Sequence, residues 1–196
     1  MIKLKDLLFE GKPPSIFIPR RMEDRIERMI KSYIRNGSKG NLDLGEFGLT
    51  ELPSILKDID VGRFFICSNN NLTSLNNSPK TVGRYFSCNN NKLTSLEGAP
   101  SSVGGGFSCS NNNLTSLVGA PKTVGGSFHC GNNQLISLKG APSSVGGGFI
   151  CSNNNLTSLI GAPTYVGGSF SCGNNSVQFT EAQVRAVCDV KGKIFV

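Results

Sequence analysis

The stretch Val103-Gly104-Gly105-Gly106-Phe107-Ser108-Cys109-Ser110-Asn111-Asn112-Asn113-Leu114-Thr115-Ser116-Leu117 is one copy of a motif that recurs along the chain. The cysteines of the copies stand 21 residues apart, at Cys67, Cys88, Cys109, Cys130, Cys151 and Cys172. A fixed period of about 20 to 29 residues is the signature of a solenoid, in which each repeat forms one coil that stacks on the next. The fold therefore follows from this array, and a function must be sought on its surface and in its flanks.

The apolar columns of the repeat predict the core. In the first full copy these columns are Val61, Phe65, Cys67, Leu72 and Leu75. Alternation along a strand directs Phe65 and Cys67 inward and the residues beside them outward. Because the cysteines share a column that faces the core, we expect free buried thiols that behave as small hydrophobes. No Cys-x-x-Cys or histidine-rich spacing indicates zinc.

An asparagine recurs where the backbone must leave the strand and turn. Its side chain can bond the backbone groups of the turn, so a structural ladder is favoured over a ligand site. The predicted ladder is Asn70, Asn91, Asn112, Asn133, Asn154 and Asn175. Glycine and proline, as in Gly98-Ala99-Pro100, predict that the return path is irregular, polyproline-like or a single 3₁₀ turn.

The column Phe-x-Cys-x-x-Asn-x-Leu-x-x-Leu resembles the conserved segment of leucine-rich repeats, with Phe and Cys in two of the usual leucine places. The resemblance implies an α/β solenoid with one short strand per coil. In that fold the strands form a parallel sheet on the concave face, the convex side is irregular, and helical caps close the ends. The wording Gly-Ala-Pro-x-x-Val-Gly-Gly-x-Phe-x-Cys is also similar to leucine-rich repeat proteins encoded by large tailed bacteriophages.

The chain divides into five parts. Residues 1–10 form a leader, 11–40 a basic linker and amphipathic cap helix, 41–60 a divergent first repeat, 61–175 the 21-residue repeats and 176–196 a C-terminal cap. Pro19, apolar residues at helical spacing and Gly37 predict the first helix. The segment Thr180-Glu181-Ala182-Gln183 is typical of a capping box, and it predicts a second helix to about Cys188.

The first forty residues are basic. They hold ten Lys and Arg against five acids, which is +5 of the net charge of +7. The favoured role of the first helix is to cover the first coil, since a charged outer face is usually solvated. The alternative is contact with nucleic acid or another polyanion. Its candidate residues are Arg20, Arg21, Arg25, Lys31 and Arg35.

The leader lacks the apolar run of a secretory signal, because charged residues interrupt it. It resembles the capsid-targeting leaders of internal head proteins of tailed bacteriophages, which end in Leu/Ile-x-Glu before the prohead protease cuts. The resemblance makes Leu8, Phe9 and Glu10 the recognition triplet and Gly11 the new N-terminus. Leu44-Gly45-Glu46 and Leu49-Thr50-Glu51 match the triplet too, but both lie inside the first repeat.

The sequence offers no catalytic constellation. His129 is the only histidine, and isoleucine or serine fills its column in the other copies. Glu97 is the only carboxylate between Val61 and Thr180, which leaves no acid pair for hydrolysis. The glycine-rich segments lack the Lys and Ser/Thr of a phosphate loop. We therefore predict a protein that is not an enzyme and needs neither cofactor nor metal. No apolar run is long enough to cross a bilayer, so no membrane partner is expected.

The outward strand positions of the first two coils form a candidate partner-binding site. Phe64 and Tyr85 stand in a column that later holds only Gly and Ser, and each follows an arginine. Aromatic residues beside arginine are typical of interaction hot spots. The alternative is that these residues pack under the N-terminal segment. The candidate residues are Arg63, Phe64, Ile66, Arg84, Tyr85, Ser87 and Asn89.

Together the sequence features predict a non-enzymatic protein-binding module of a tailed phage. It would be packaged in the capsid interior, trimmed after Glu10 and delivered to the host cytoplasm to bind or neutralise a host protein. Its partners are then a host protein and, for the leader, the prohead protease. The alternatives are a virion structural or assembly protein and an intracellular effector-like leucine-rich repeat protein, for which a cytoplasmic location is expected.

Overall fold

The computed structural model describes residues 20–196, which form a parallel β-solenoid of about seven coils with a helix near each end. Helix α1 spans Arg20–Arg35 and helix α2 spans Glu181–Val187. A 3₁₀ turn at Ser54–Leu56 lies in the divergent first repeat. The leader and its cleavage triplet lie outside the described residues.

Each coil after the divergent first repeat contributes one strand to each of two sheets, and the divergent first repeat contributes a strand to one sheet only. The eight strands of the phenylalanine sheet are Leu42–Asp43 (β1), Phe64–Ile66 (β3), Tyr85–Ser87 (β5), Phe107–Ser108 (β7), Phe128–His129 (β9), Phe149–Ile150 (β11), Phe170–Ser171 (β13) and Ile194–Phe195 (β15). The seven strands of the valine sheet are Asp60–Val61 (β2), Thr81–Val82 (β4), Ser102–Val103 (β6), Thr123–Val124 (β8), Ser144–Val145 (β10), Tyr165–Val166 (β12) and Asp189–Val190 (β14). All neighbouring strands are parallel, and equivalent residues of the repeat are paired, as in Val61 with Val82.

The valine sheet shows that the prediction of one strand per coil is wrong, because it supplies a second strand before each strand of the phenylalanine sheet from β3 onward. The segment Gly98-Ala99-Pro100 lies in neither sheet, as the predicted irregular return path requires.

A double-glycine turn links four of its strands, β6, β8, β10 and β12, to the phenylalanine sheet, whereas Gly62-Arg63, Gly83-Arg84 and Lys191-Gly192 follow β2, β4 and β14. A Cβ atom on Gly104 would lie 2.4 Å from the carbonyl oxygen of Gly83, and one on Gly125 would lie 2.2 Å from that of Gly104. Only glycine allows the coils to stack this closely at the corner. The first glycine of the turn therefore has a steric role.

The predicted core columns are buried as expected. Six phenylalanines, from Phe65 to Phe170, stack along the solenoid axis with ring centroids 4.9 to 5.7 Å apart. The valine and leucine columns close the core around them. Such stacking adds about 0.5–1.5 kcal/mol per aromatic pair to the burial of each ring.

All seven cysteines are free and buried, which confirms the thiol prediction. The thiol of Cys109 donates to the carbonyl of His129 in the next coil, with the sulfur and oxygen 3.4 Å apart. Burial raises the pKa of Cys109 far above the ordinary thiol value, and it raises that of Cys172 to about 11. The column therefore consists of neutral thiols that fill space between Phe and Leu.

Two neighbouring asparagines have separate roles at the turn that follows each of the strands β3, β5, β7, β9, β11 and β13. The first has left-handed backbone angles, as at Asn90 and Asn111, where φ is 53° and 57°. The second is the ladder residue. The side chain of Asn112 donates to the carbonyls of Cys88, Cys109 and Ser110 at 3.0 to 3.3 Å. Its oxygen accepts from the N–H of Leu93 at 3.0 Å, so it joins two coils.

The two ends are built differently. Helix α1 buries Ile26, Ile30 and Tyr33 against the first repeat. The hydroxyl of Tyr33 accepts from the N–H of Gly62 at 3.2 Å and thereby fixes the helix to the first full coil. At the other end, Thr180 and Gln183 form the predicted capping box of α2.

Candidate protein-interaction face

The structure brings the predicted aromatic residues together on the outer side of the phenylalanine sheet. Phe64 and Tyr85 are directly paired in the register of β3 and β5. Their rings meet edge to face, with centroids 6.3 Å apart and an interplanar angle of 84°. The guanidinium carbon of Arg63 lies 5.6 Å from the centre of the Phe64 ring. Both rings are half-buried, so each still presents a surface to solvent.

The ring of Tyr85 also leans over the next coil. A Cβ atom on Gly106 would lie 3.0 Å from the Cδ2 atom of Tyr85. Glycine in the third coil therefore leaves room for this ring, which is held between Phe64 on one side and bare backbone on the other. We call Arg63, Phe64, Arg84 and Tyr85, with Ile66, the aromatic face.

Two of the predicted contact residues have an internal role. Ser87 is buried, and its hydroxyl lies 2.6 Å from that of Ser68. The side-chain oxygen of Asn89 accepts from the hydroxyl of Ser108 at 2.7 Å and from the N–H of Ser110 at 2.8 Å. These bonds tie the first three coils together beneath and beside the aromatic face. Arg63 and Arg84 are exposed, and Ile66 is half-buried.

The N-terminal helix covers a different part of the first coils. Its side chains reach the divergent first repeat, where the guanidinium of Arg25 lies 5.6 Å from the centre of the Phe47 ring. The loop after α1 runs beside Gly62 and Arg63, whose N–H groups donate to the carbonyls of Ser38 and Gly40. Among residues 20–196, the aromatic and cation–π contacts of Phe64 are with Tyr85 and Arg63.

The charged surface of α1 is partly engaged in local contacts. The ammonium of Lys31 lies 2.6 Å from the carboxylate of Glu27, and both side chains are about half exposed. Arg28, Lys31 and Arg35 surround a shallow groove with an apolar floor made by Ile34 and Ile55. This groove is basic at its rim, and it lies at the junction between α1 and the 3₁₀ turn.

The described residues hold no arrangement typical of metal binding or of a membrane span. Within residues 20–196, no group of three or more His, Cys, Asp and Glu side chains is placed to bind a metal ion. No helix in the same range is both long and apolar enough to cross a membrane. His129 lies on the outer side of the phenylalanine sheet, between Ser108 and Ile150 of the adjacent strands, and burial lowers its pKa.

A second exposed surface did not emerge from the sequence as an apolar patch. Ile136 and Ile160 are 62% and 71% exposed, and Val118 is 43% exposed. All three lie on the side of the coil formed by the Leu-x-x-Leu segment. The available signal is that each is aliphatic in a column with polar residues in other copies, such as Thr115 at the place of Ile136.

No protein-family model matches this chain, and no curated protein matches it with significant similarity.

Proposed function

We propose that this chain is a non-enzymatic protein-binding module whose contact surface is the aromatic face. The observation that carries the proposal is the half-buried Phe64–Tyr85 pair on two adjacent strands, with the exposed Arg63 beside it. Aromatic and arginine side chains dominate the binding energy of protein interfaces, and an exposed apolar cluster on a soluble surface usually marks such a site.

The scaffold beneath this face is suited to binding because it is ordered before a partner arrives. The backbone of β3 and β5 is hydrogen-bonded to a strand on each side. The Tyr85 ring is confined between Phe64 and Gly106, so little side-chain freedom remains to be lost on binding. The later coils of the same sheet carry glycine and serine at the equivalent places, as at Gly148 and Ser169. These coils would extend and hold the sheet while contributing little binding energy.

A photo-crosslinking experiment tests the proposed contact surface. Benzoylphenylalanine replaces Tyr85 in one variant and Ser169 in a matched control, since Ser169 occupies the same outward column four coils away. We expect a partner protein to be crosslinked at position 85 and not at 169. Efficient crosslinking of the same partner only at 169 would place the contact surface elsewhere on the sheet.

A double substitution separates binding from folding. Replacing Phe64 and Tyr85 together by alanine removes the aromatic face but leaves the buried Phe65 and Phe86 in place. With benzoylphenylalanine at position 84 as the probe, we expect crosslinking of the partner to be lost in the double variant while the circular dichroism spectrum is retained. A collapse of the folded state would instead assign these rings a mainly structural role.

We extend the proposal to the biological setting with the leader resemblance. The chain would be a leucine-rich repeat protein of a tailed phage, packaged in the capsid interior and trimmed between Glu10 and Gly11. After delivery to the host cytoplasm, the aromatic face would bind and neutralise a host protein. What supports this part is the Leu8-Phe9-Glu10 triplet near the start of the sequence, together with the wording of the repeat.

Peptide mass spectrometry on purified particles of the encoding phage tests the packaging step. A chain that begins at Gly11 is the expected result, and Glu10→Gln supplies a cleavage-resistant control. An intact N-terminus in particles, or absence of the protein from them, would remove the capsid-targeting proposal. A stoichiometric position in an ordered particle lattice would favour the structural or assembly role. Whichever of these results is obtained, the crosslinking experiment tests partner binding by the aromatic face separately.

A further inference from the structure

An exposed ridge runs along the side of the solenoid that belongs to neither sheet. It consists of the residue directly after the second leucine of each Leu-x-x-Leu segment. Its members are Asn76, Glu97, Val118, Lys139 and Ile160. Beside it runs the column after the first leucine, which contains Thr73, Thr94, Thr115, Ile136 and Thr157. We call the two columns together the leucine-side ridge.

The members of the ridge are stacked in register. The carbonyl of Val118 accepts from the N–H of Leu96 in the preceding coil at 3.1 Å. The carbonyls of Lys139 and Ile160 make equivalent bonds at 3.1 and 2.9 Å. Neighbouring coils of a parallel sheet are about 4.8 Å apart, so Glu97 and Lys139 stand about that distance on either side of Val118.

Charge is distributed unequally along this ridge. Glu97 is the only acid between Val61 and Thr180, a range that contains six basic residues. It lies one coil before Val118, and Lys139 lies one coil after it. Both side chains are exposed, and neither belongs to an ion pair within the described part of the chain. The order along the ridge is therefore acid, apolar residue, base.

The acid, apolar, base order of one ridge is complementary to the same order on a second copy that runs in the opposite direction. If a second copy packs antiparallel with its Val118 against Val118, each Glu97 faces the partner copy's Lys139. Ile136 then faces the methyl group of the partner copy's Thr94, because both lie in the same column, one coil on either side of Thr115. A parallel arrangement would instead oppose Glu97 to Glu97 and Lys139 to Lys139, and like charges in contact are unfavourable.

We propose that the leucine-side ridge is the interface of an antiparallel homodimer with Val118 on the two-fold axis. A two-fold interface requires one patch that complements itself, and this charge order meets that requirement. The ridge is five coils long and two columns wide. The area it can bury is therefore smaller than the roughly 800 Å² per partner that a stable interface buries. The dimer is therefore weak and depends on concentration and salt.

The homodimer adds to the proposed function without depending on it. The aromatic face lies on the phenylalanine sheet, away from the ridge, so it stays free in both copies. Two identical aromatic faces in one dimer would raise the avidity for a partner that is itself multivalent. A failure of the aromatic face would leave the dimer untouched, and the reverse also holds.

Charge reversal with sedimentation equilibrium tests the dimer. The full chain is studied from 5 to 500 micromolar at low salt, as wild type, Glu97→Lys, Lys139→Glu and the double swap. Each single reversal turns both symmetric contacts repulsive, so we expect the association constant to fall by roughly tenfold or more. The double swap restores both contacts and should dimerise like the wild type. Lys193→Glu reverses a charge away from the ridge and should change little.

Mixing the two single variants gives the sharpest outcome. In a heterodimer of Glu97→Lys with Lys139→Glu, both contacts pair a lysine with a glutamate, whereas each variant alone opposes like charges. We expect the mixture to dimerise when neither component does. A wild type that stays monomeric at the highest concentration would overturn the proposal. So would a mixture that associates no better than its components. Circular dichroism of each variant verifies that the coils are folded.

Discussion

Removal of one ladder asparagine offers a quantitative test of the fold. Asn112→Ala deletes four hydrogen bonds in the middle of the solenoid, three donated by the side-chain amide and one accepted from the N–H of Leu93. The four bonds do not have equal consequences. The carbonyl of Cys88 keeps the amide of Asn91, and that of Cys109 keeps the amide of Asn133.

The N–H of Leu93 has no such replacement. It donates to Asn112, and Leu93 is fully buried. A buried donor without a partner costs about 1–3 kcal/mol, and the weakened bonds at the carbonyls add about 1 kcal/mol. We therefore expect Asn112→Ala to lower the free energy of unfolding by about 2–4 kcal/mol.

The neighbouring residue provides the control. Asn113 is exposed, and its side-chain oxygen accepts only a long bond of 3.3 Å from Gln134. Asn113→Ala removes the same chemical group and should cost less than about 0.5 kcal/mol. Urea unfolding followed by circular dichroism gives both values at equal protein concentration. If the two variants lose the same free energy, or if Asn112→Ala loses less than 0.5 kcal/mol, the reasoning about the orphaned Leu93 donor is refuted.

Four further outcomes are expected from the core and from the glycine corner. Phe128→Ala opens a gap in the middle of the aromatic stack and should lower the free energy of unfolding by about 3–5 kcal/mol, whereas Phe128→Leu should cost less than half of that. Gly125→Ala forces a methyl group against the carbonyl of Gly104, so the thermal midpoint should drop by at least several degrees. Burial raises the pKa of the Cys109 thiol and its copies, so a thiol reagent should label none of the seven cysteines rapidly at pH 8 and all of them in denaturant. Because the unfolded thiols titrate near pH 9 and the folded ones only higher, the free energy of unfolding should fall as pH rises above 9. The results that would contradict these expectations are, in the same order, an unchanged urea midpoint, an unchanged melting curve, fast labelling of the native protein, and a urea midpoint that does not fall between pH 9 and pH 10.5.

The core could be predicted because its signal repeats with the coil. Cys109 is flanked by inward Phe107 and Leu114 in one copy, and the copies at Cys67, Cys88, Cys130 and Cys151 present the same three residue types. The last copy, at Cys172, has Val177 in the leucine place. The period fixes the stacking, and alternation fixes the direction of each side chain. Helix α1 was predictable for a similar reason, because apolar residues at helical spacing end at a glycine.

The valine sheet could not be predicted in the same way. Its strands have only two residues, as in Thr123–Val124, and two residues are too short for an alternating pattern. In the sequence, the glycines that follow were considered only as a possible phosphate loop. In the structure they matter mainly because the coils approach within contact distance at that corner. The missing information was the distance between coils, which the local sequence does not contain.

The aromatic face was predictable as a set of residues, but not as an arrangement. Phe64 and Tyr85 stand out because their column otherwise holds only glycine and serine. Burial of Ser87 and engagement of Asn89 depend on hydrogen bonds to Ser68 and Ser108 in neighbouring coils. Such contacts between coils depend on side-chain rotamers, which the aligned sequences of the repeats do not specify.

Because all coils stack in the same register, whole coils can be added or removed and the length of the solenoid changes in equal steps. Each ladder asparagine bonds to its own coil and to the one before it, as Asn91 does with Cys88 and Cys67. An inserted or deleted 21-residue unit would therefore meet the same neighbours and make the same bonds as the units already present. Each such event would change the length by about 4.8 Å and leave the two ends intact. Duplication within the gene can thus adjust the distance between α1 and α2 in fixed steps, without any new packing solution.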